Sequence, residues 1–143
     1  MNNIGPIIII EDDADDQIIL KEIFEELQIK NELLLFSDGV QALLYLEDTT
    51  VKPFLVISDI NLPLMSGMEL RSIIYQHQEL RIKCIPYIFL STSSSVESVS
   101  EAYSLAVQGY FIKPDNYNDL KVTIQSIFDY WQIGKRPDLV KAY

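Results

Sequence analysis

Along this chain, short apolar runs alternate with longer stretches whose apolar residues recur every three or four positions. Pro6 to Ile10 is apolar without polar alternation, the pattern of a strand buried on both faces. Behind it, Leu20, Ile23, Phe24 and Leu27 share one helical face, while Lys21, Glu22, Glu25 and Glu26 fill the other. The same unit then repeats. Asn31 to Phe36 predicts a second strand, and Ser37 or Asp38 is placed to cap a helix carrying Val40, Leu43, Leu44 and Leu46. Asp48 to Pro53 reads as the exit loop. Leu55, Val56 and Ile57 predict a third buried strand with Asp59 at its end; Pro63 and Gly67 turn the chain. Met68, Leu70, Ile73 and Ile74 mark a third helix that loses its pattern near His77, and Pro86 introduces a fourth strand, Tyr87 to Leu90. The Ser-rich stretch STSSSVESVS has the composition of a linker, but Val96, Val99, Tyr103 and Ala106 give it a thin helical stripe. Gly109 to Ile112 is the fifth strand, and Asn116 or Asn118 caps a last helix with Leu120, Ile124, Ile127 and Trp131 inward.

Five strands, each followed by a helix, predict an α/β fold with right-handed crossovers and a parallel sheet covered on both faces. A chain of 143 residues suffices for one core, and no shift of composition marks a second. The expected organisation is one domain over residues 1–131 and a short tail, 132–143.

Charge narrows the function. Eleven Lys and Arg against 21 Asp and Glu leave a net charge of -10, which repels nucleic acid and anionic membrane surfaces. No apolar run approaches the roughly 18 residues of a membrane span, and no basic region precedes the apolar start, so a cytoplasmic protein is expected. Cys84 and His77 are the only residues of their kinds and, with only Glu79 between them as a further ligand, do not make a zinc set. His77 is expected at the exposed end of a helix, and Cys84 as a small hydrophobe packed beside a strand.

Five acids lie among Glu11 to Asp16, directly after the first strand. Asp13, Asp15 and Asp16 suit the N-terminus of the helix that follows. Glu11 and Asp12 are still on the strand end. With Asp59 they would put three carboxylates at one sheet edge, tolerable only beside a cation or protons. Hard oxygen ligands with open positions select Mg²⁺.

Taken in order, Glu11-Asp12 after a strand, Asp59 with Pro63 and Gly67, Ser91 after YIFL, and Lys113-Pro114 near the end make the chain similar to the CheY-like receiver domains of two-component response regulators. The similarity runs from about Pro6 to Trp131. It implies a flavodoxin-like doubly wound (βα)5 fold with strand order 2-1-3-4-5, in which strands one and three meet at the switch point. It implies that Asp59 is the phosphoacceptor, Asp12 a direct Mg²⁺ ligand, Glu11 an acid acting mainly through water, and the Asn61 backbone carbonyl the last protein ligand. Ser91 and Lys113 match the hydroxyl and the base that bind phosphoryl oxygens, Ser91 and Tyr110 match the switch pair, and Pro114 follows a bond prone to the cis form. Ser91 stands where Thr is commoner, Thr92 where Ala or Gly is, and Asp115 where an apolar residue is.

The resemblance further implies a single-domain regulator that takes its phosphoryl group from a histidine kinase or histidine phosphotransfer protein and passes the signal to a downstream protein target. The fourth helix, fifth strand and last helix would form the output face and serve for a homodimer. The STS after the fourth strand resembles the small phytochrome-linked regulators. Two other readings use the same residues. A phosphatase of the haloacid dehalogenase type also has a strand-end Asp with Mg²⁺, but places a second Asp where this chain has Asn61. A phosphorylation-independent scaffold would not need the complete set of site residue types found here.

Overall fold

The computed structural model describes residues 4–137 apart from residues 49 and 51, so residues 138–143 of the expected tail and part of the exit loop lie outside the described residues. Five parallel strands form one sheet in the order β2-β1-β3-β4-β5. They are β1 (Ile7–Ile10), β2 (Leu33–Phe36), β3 (Leu55–Ser58), β4 (Tyr87–Ser91) and β5 (Gly109–Ile112). The flavodoxin-like order expected from the sequence is the observed one. Strands β1, β3 and β4 are buried along their whole length, which is why they carry unbroken apolar runs rather than alternation.

The helices are α1 (Ala14–Glu26), α2 (Gly39–Asp48), α3 (Gly67–Gln76), α4 (Gln78–Arg81), α5 (Val96–Ser104) and α6 (Tyr117–Ile133). Two apolar cores result, one on each face of the sheet. Alternate strand residues divide between them: Ile8, Ile10, Val56 and Phe89 pack towards α2 and α3, whereas Ile7, Ile9, Ile57 and Leu90 pack towards α1 and α6. Side-chain caps fix several helix starts. The Asp38 carboxylate accepts from Gln41 N–H at 2.8 Å, and Asn116 accepts from Asp119 N–H at 2.9 Å, which decides both of the capping alternatives left open by the sequence. Ser66 and Glu69 make a reciprocal capping box at the start of α3.

Several expectations need correction. The third helix does not simply fade: His77 ends α3, and its Nδ1 accepts from Leu80 N–H at 3.3 Å to start the single turn α4, which buries Leu80. His77 is therefore half-buried rather than exposed, and what the sequence counts as the fourth helix is α5. On α3 the inward residue after Leu70 is Arg71, whose guanidinium finds backbone carbonyls, while Ile73 turns outward at 37% exposure. The stripe on α5 is also displaced. Val96 and Tyr103 are exposed, and the one fully buried residue is the small Ala102. Cys84 lies in a turn at φ 53 and is exposed rather than packed beside a strand. Strand β2 is shorter than expected, because Asn31 turns its side chain to the Gly5 carbonyl at 2.7 Å. Helix α6 continues past Trp131 to Ile133, and Arg136 beyond it is buried with its guanidinium donating to the Phe54 carbonyl.

The outward turn of Ile73 separates it energetically from Leu70. Leu70→Ala is expected to cost about 2–5 kcal/mol, as for other fully buried leucines, and Ile73→Ala under about 1 kcal/mol. Urea denaturation of the two variants checks this, and equal losses would contradict the orientation of α3.

Candidate functional site

The pairing of β1 with β3 sets Ile10 opposite Ser58, so the next residues on each strand, Glu11 and Asp59, leave the sheet side by side. Asp59 N–H donates to the Ile10 carbonyl at 3.0 Å and ties the two strand ends together. Glu11, Asp12 and Asp59 can each bring a carboxylate oxygen within 4.8 Å of the others. This is the convergence expected from the switch point of the sheet.

Like charges at this separation need compensation, and Lys113 provides it. Its Nζ lies 2.7 Å from Glu11 Oε1, 3.3 Å from Asp16 Oδ2 and 3.5 Å from Asp59 Oδ2. Burial works against the Lys113 charge, but the hydrogen bond to Glu11 and the charges of Asp59, Glu11 and Asp16 outweigh it and hold the ammonium above its ordinary pKa. For Glu11, only 3% exposed, the balance falls the other way: burial raises its pKa more than Lys113 and the Asp13 N–H lower it, and Asp59 adds repulsion. The most buried acid of the cluster is thus the one most in need of the lysine. Lys113 is held in place from below, its own N–H donating to the Ser91 carbonyl at 2.7 Å.

The floor of the site is the turn after β3. Asp59 Oδ1 accepts from Ile60 N–H at 2.7 Å, the Ser58 hydroxyl donates to the Asp59 carbonyl at 2.7 Å, and Gly67 N–H closes the turn onto the Ile60 carbonyl at 2.8 Å. Asn61 lies exposed inside this turn. Gly67 is required by space. A Cβ there would stand 2.2 Å from the Asp59 carbonyl oxygen and 2.9 Å from the Phe89 ring. Beneath the turn, the wholly buried Tyr87 points its hydroxyl at the Gly67 carbonyl, 3.4 Å away, and burial pushes that phenol above its ordinary pKa.

Ser91 ends β4 with no exposure, and its Oγ accepts from Ser93 N–H at 3.1 Å. Tyr110, on β5, is half-buried with its ring 6.0 Å from that of Phe89, and its hydroxyl donates to the Ser93 carbonyl at 2.7 Å. The loop between β4 and α5 is therefore gripped at Ser93 by both members of the expected switch pair. Tyr110 is not turned out to solvent, because its ring has aromatic packing and its hydroxyl a carbonyl partner within the fold. Thr92 and Asp115 are exposed. No peptide bond among the described residues is cis, so the bond before Pro114 is trans here.

Two participants are not evident in the sequence. Asp16 sits in the first turn of α1, as its place after the strand predicts, and from there it also reaches Lys113. Gln17 donates to the Glu11 carbonyl and, at 3.2 Å, to the Ser37 hydroxyl, fastening α1 across the ends of β1 and β2.

The residues fit a divalent cation of the hard kind. Three carboxylates offer oxygens at a common point, and Asp12 is exposed, which leaves open positions for water or an anion.

A five-stranded doubly wound sheet with this acidic cluster at its switch point and a lysine at the end of β5 has the architecture of a receiver. The chain belongs to the response regulator receiver domain family, which it matches over residues 7–125. The family is that of CheY-like two-component signalling, and places the chain in a phosphorelay. The response regulator Rcp1 of Synechocystis is 32% identical over 130 residues, covering 87% of each chain. The probable methanogenesis regulatory protein FilR2 of Methanothrix harundinacea is 34% identical over 129 residues, covering 87% of this chain and 82% of that one. Among solved structures, the phosphorylated cyanobacterial phytochrome response regulator RcpA matches with a TM-score of 0.83 at 26% identity, covering 92% of this chain and 96% of that one. The Mn²⁺-bound form of Rcp1 matches with a TM-score of 0.81 at 30% identity, covering 92% and 97%.

Gly67→Ala is expected to destabilise the fold by about 1–3 kcal/mol, because the Asp59 carbonyl and the Phe89 ring must both retreat. A melting curve measures the loss. A variant as stable as the parent would show that the turn beneath Asp59 is not closely packed.

Proposed function

We propose that Asp59 is the phosphoacceptor of this receiver, taking its phosphoryl group from a histidine kinase or a histidine phosphotransfer protein in the cytoplasm. The observation that carries this is the meeting of Glu11, Asp12 and Asp59 at one point, with the Lys113 ammonium against Glu11 and Asp59. An Asp59 oxygen attacks phosphorus, the bond from phosphorus to the donor imidazole nitrogen breaks, and the imidazole leaves with a proton from solvent. Asp59 Oδ1 is held by Ile60 N–H, which keeps the carboxyl group oriented for in-line attack. Lys113 is close enough to exchange one of its carboxylate contacts for a phosphoryl oxygen, and Ser91 can offer its hydroxyl from the neighbouring strand end. Mg²⁺ held by Glu11, Asp12, Asp59 and the Asn61 backbone carbonyl would spread the charge of the transferred group. The expected chemistry is limited to this self-transfer and to later hydrolysis of the acyl phosphate.

The new group brings one to two negative charges and strong acceptor oxygens, which draw the Ser91 hydroxyl away from Ser93 N–H. Tyr110 shares the Ser93 residue, so its hold on the loop changes with that of Ser91. The output face is then α5, β5 and α6, where Tyr103, Phe111, Ile112, Val122 and Tyr130 are exposed, for a downstream protein target or a second copy of the chain. The nearness of the phytochrome response regulator RcpA and of Rcp1 supports an assignment to that small-regulator subgroup.

Incubation with a labelled phosphodonor and Mg²⁺ should place one label on the chain, and Asp59→Asn should abolish it. Label that survives in Asp59→Asn would move the acceptor elsewhere, and rapid turnover of phosphate esters would favour the phosphatase reading. In a metal titration, Asp12→Ala should weaken Mg²⁺ binding at least tenfold more than Asp15→Ala, since only Asp12 reaches the carboxylate cluster. Equal losses would remove Asp12 from the ligand set.

A further inference from the structure

The opposite edge of the sheet carries the reverse charge. A cavity of about 340 Å³ lies where the chain enters β4 and β5, between α3, α4 and the end of α6. Arg71, Arg81, Lys135 and Arg136 line it together with Tyr75 and Trp131, and no Asp or Glu does among the described residues. In a chain with 11 basic and 21 acidic residues, four cations around one cavity with no acid among its described lining residues run against the composition.

Arg71 is the most telling of them. It is 6% exposed, yet no ion pair among the described residues includes it. Its Nε donates to the Leu105 carbonyl at 2.9 Å and its Nη2 to the Ala106 carbonyl at 2.8 Å, which leaves three of its five N–H groups beyond these bonds. Its guanidinium lies 5.6 Å from the Tyr75 ring centre and 5.5 Å from that of Tyr87. Carbonyls and rings solvate a cation without neutralising it. The Arg81 guanidinium shares the same Tyr75 ring at 5.8 Å, so two like charges meet on one side chain. Arg81 and Lys135 likewise enter no ion pair among the described residues. Burial also lowers the Arg71 pKa, a further sign that the charge lacks a counter-ion.

We propose that this cavity binds a small organic anion, whose phosphate or carboxylate group is held by Arg71, Arg81 and Lys135 and whose apolar or aromatic body rests against Tyr75 and Trp131. Guanidinium forks match either anionic group in a bidentate manner, and the apolar walls supply the remaining contact area. The site lies at the entry ends of the strands and Asp59 at their exit ends, so the two are separate.

Trp131 is the only tryptophan of the chain and lines the cavity, which gives a direct reporter. The full-length protein is titrated with phenyl phosphate, with benzoate, and with benzyl alcohol as the neutral control, following Trp131 fluorescence. Saturable change with one or both anions, none with the alcohol, and the same affinity in Asp59→Asn are expected. Tighter binding of phenyl phosphate assigns a phosphate ester, and tighter binding of benzoate a carboxylate. Arg71→Ala removes a tie between helices, so the charge test uses the exposed Arg81→Glu and Lys135→Glu, each expected to weaken anion binding about tenfold or more while phosphorylation at Asp59 persists. No saturation, an equal response to benzyl alcohol, or unchanged affinity in both charge variants would overturn the proposal.

Discussion

Three carboxylates cannot be gathered at the edge of a sheet unless a cation stays with them, and the position of Lys113 is the condition on which this fold's chemistry rests. Parallel pairing of β1 with β3 makes the gathering unavoidable, since the residues after Ile10 and Ser58 must emerge together. Glu11 is then buried by α1 and the sheet, where an unpaired charge would cost several kcal/mol. Lys113 reaches it from the far end of β5 because Lys113 N–H is fixed to the Ser91 carbonyl, which brings the fourth and fifth strand ends to the same place. The ion pair therefore joins the first strand to the last one across the whole active edge. It also leaves Asp59 at a looser 3.5 Å, a distance from which Lys113 can change partners.

Most of this was legible in the sequence because doubly buried strands leave a simple trace. Four consecutive isoleucines before Glu11, and Leu55 to Ile57 before Asp59, have no other economical reading than central parallel strands, and strand ends then locate the acids. What failed was the assignment of helix faces where one polar residue goes inward. Arg71 looks solvent-facing until the end of α5 is known to present two carbonyls to it. Tyr103 looks apolar enough for a core, yet it is exposed and the small Ala102 beside it takes the buried position. His77 gave no warning that it would serve as a cap through its ring nitrogen, and so the single turn α4 went unseen. Tertiary contacts decide such positions, and periodicity does not contain them.

The acids and the bases are divided between the two ends of the strands. The exit edge concentrates Glu11, Asp12, Asp16 and Asp59 beside Lys113, whereas the cavity at the entry ends of β4 and β5 is lined by Arg71, Arg81, Lys135 and Arg136, with no acid among its described lining residues. Both edges hold charge in surroundings that disfavour it, and both do so through backbone groups: N–H groups at the acidic end, carbonyls at the basic end. The net charge of -10 conceals this division, so the protein's general field says little about what each edge attracts.

Helix α5 spans these two edges and is held differently at each. Its body contributes only Ala102 to the fully buried set, against Leu20, Ile23 and Phe24 from α1 and Leu120, Ile124 and Ile127 from α6. At the basic edge, the Leu105 and Ala106 carbonyls are bound by one buried guanidinium that α3 keeps in place. At the acidic edge, the loop leading into the helix is held at Ser93, whose N–H meets Ser91 Oγ and whose carbonyl meets the Tyr110 hydroxyl. The first attachment is charged and buried; the second consists of neutral hydrogen bonds worth about 1 kcal/mol each. A helix with so little buried surface moves where its ends are released. The weaker end is the one beside Asp59, so a displacement of the Ser91 hydroxyl of the kind proposed would loosen the start of α5 while Arg71 kept its far end as a pivot.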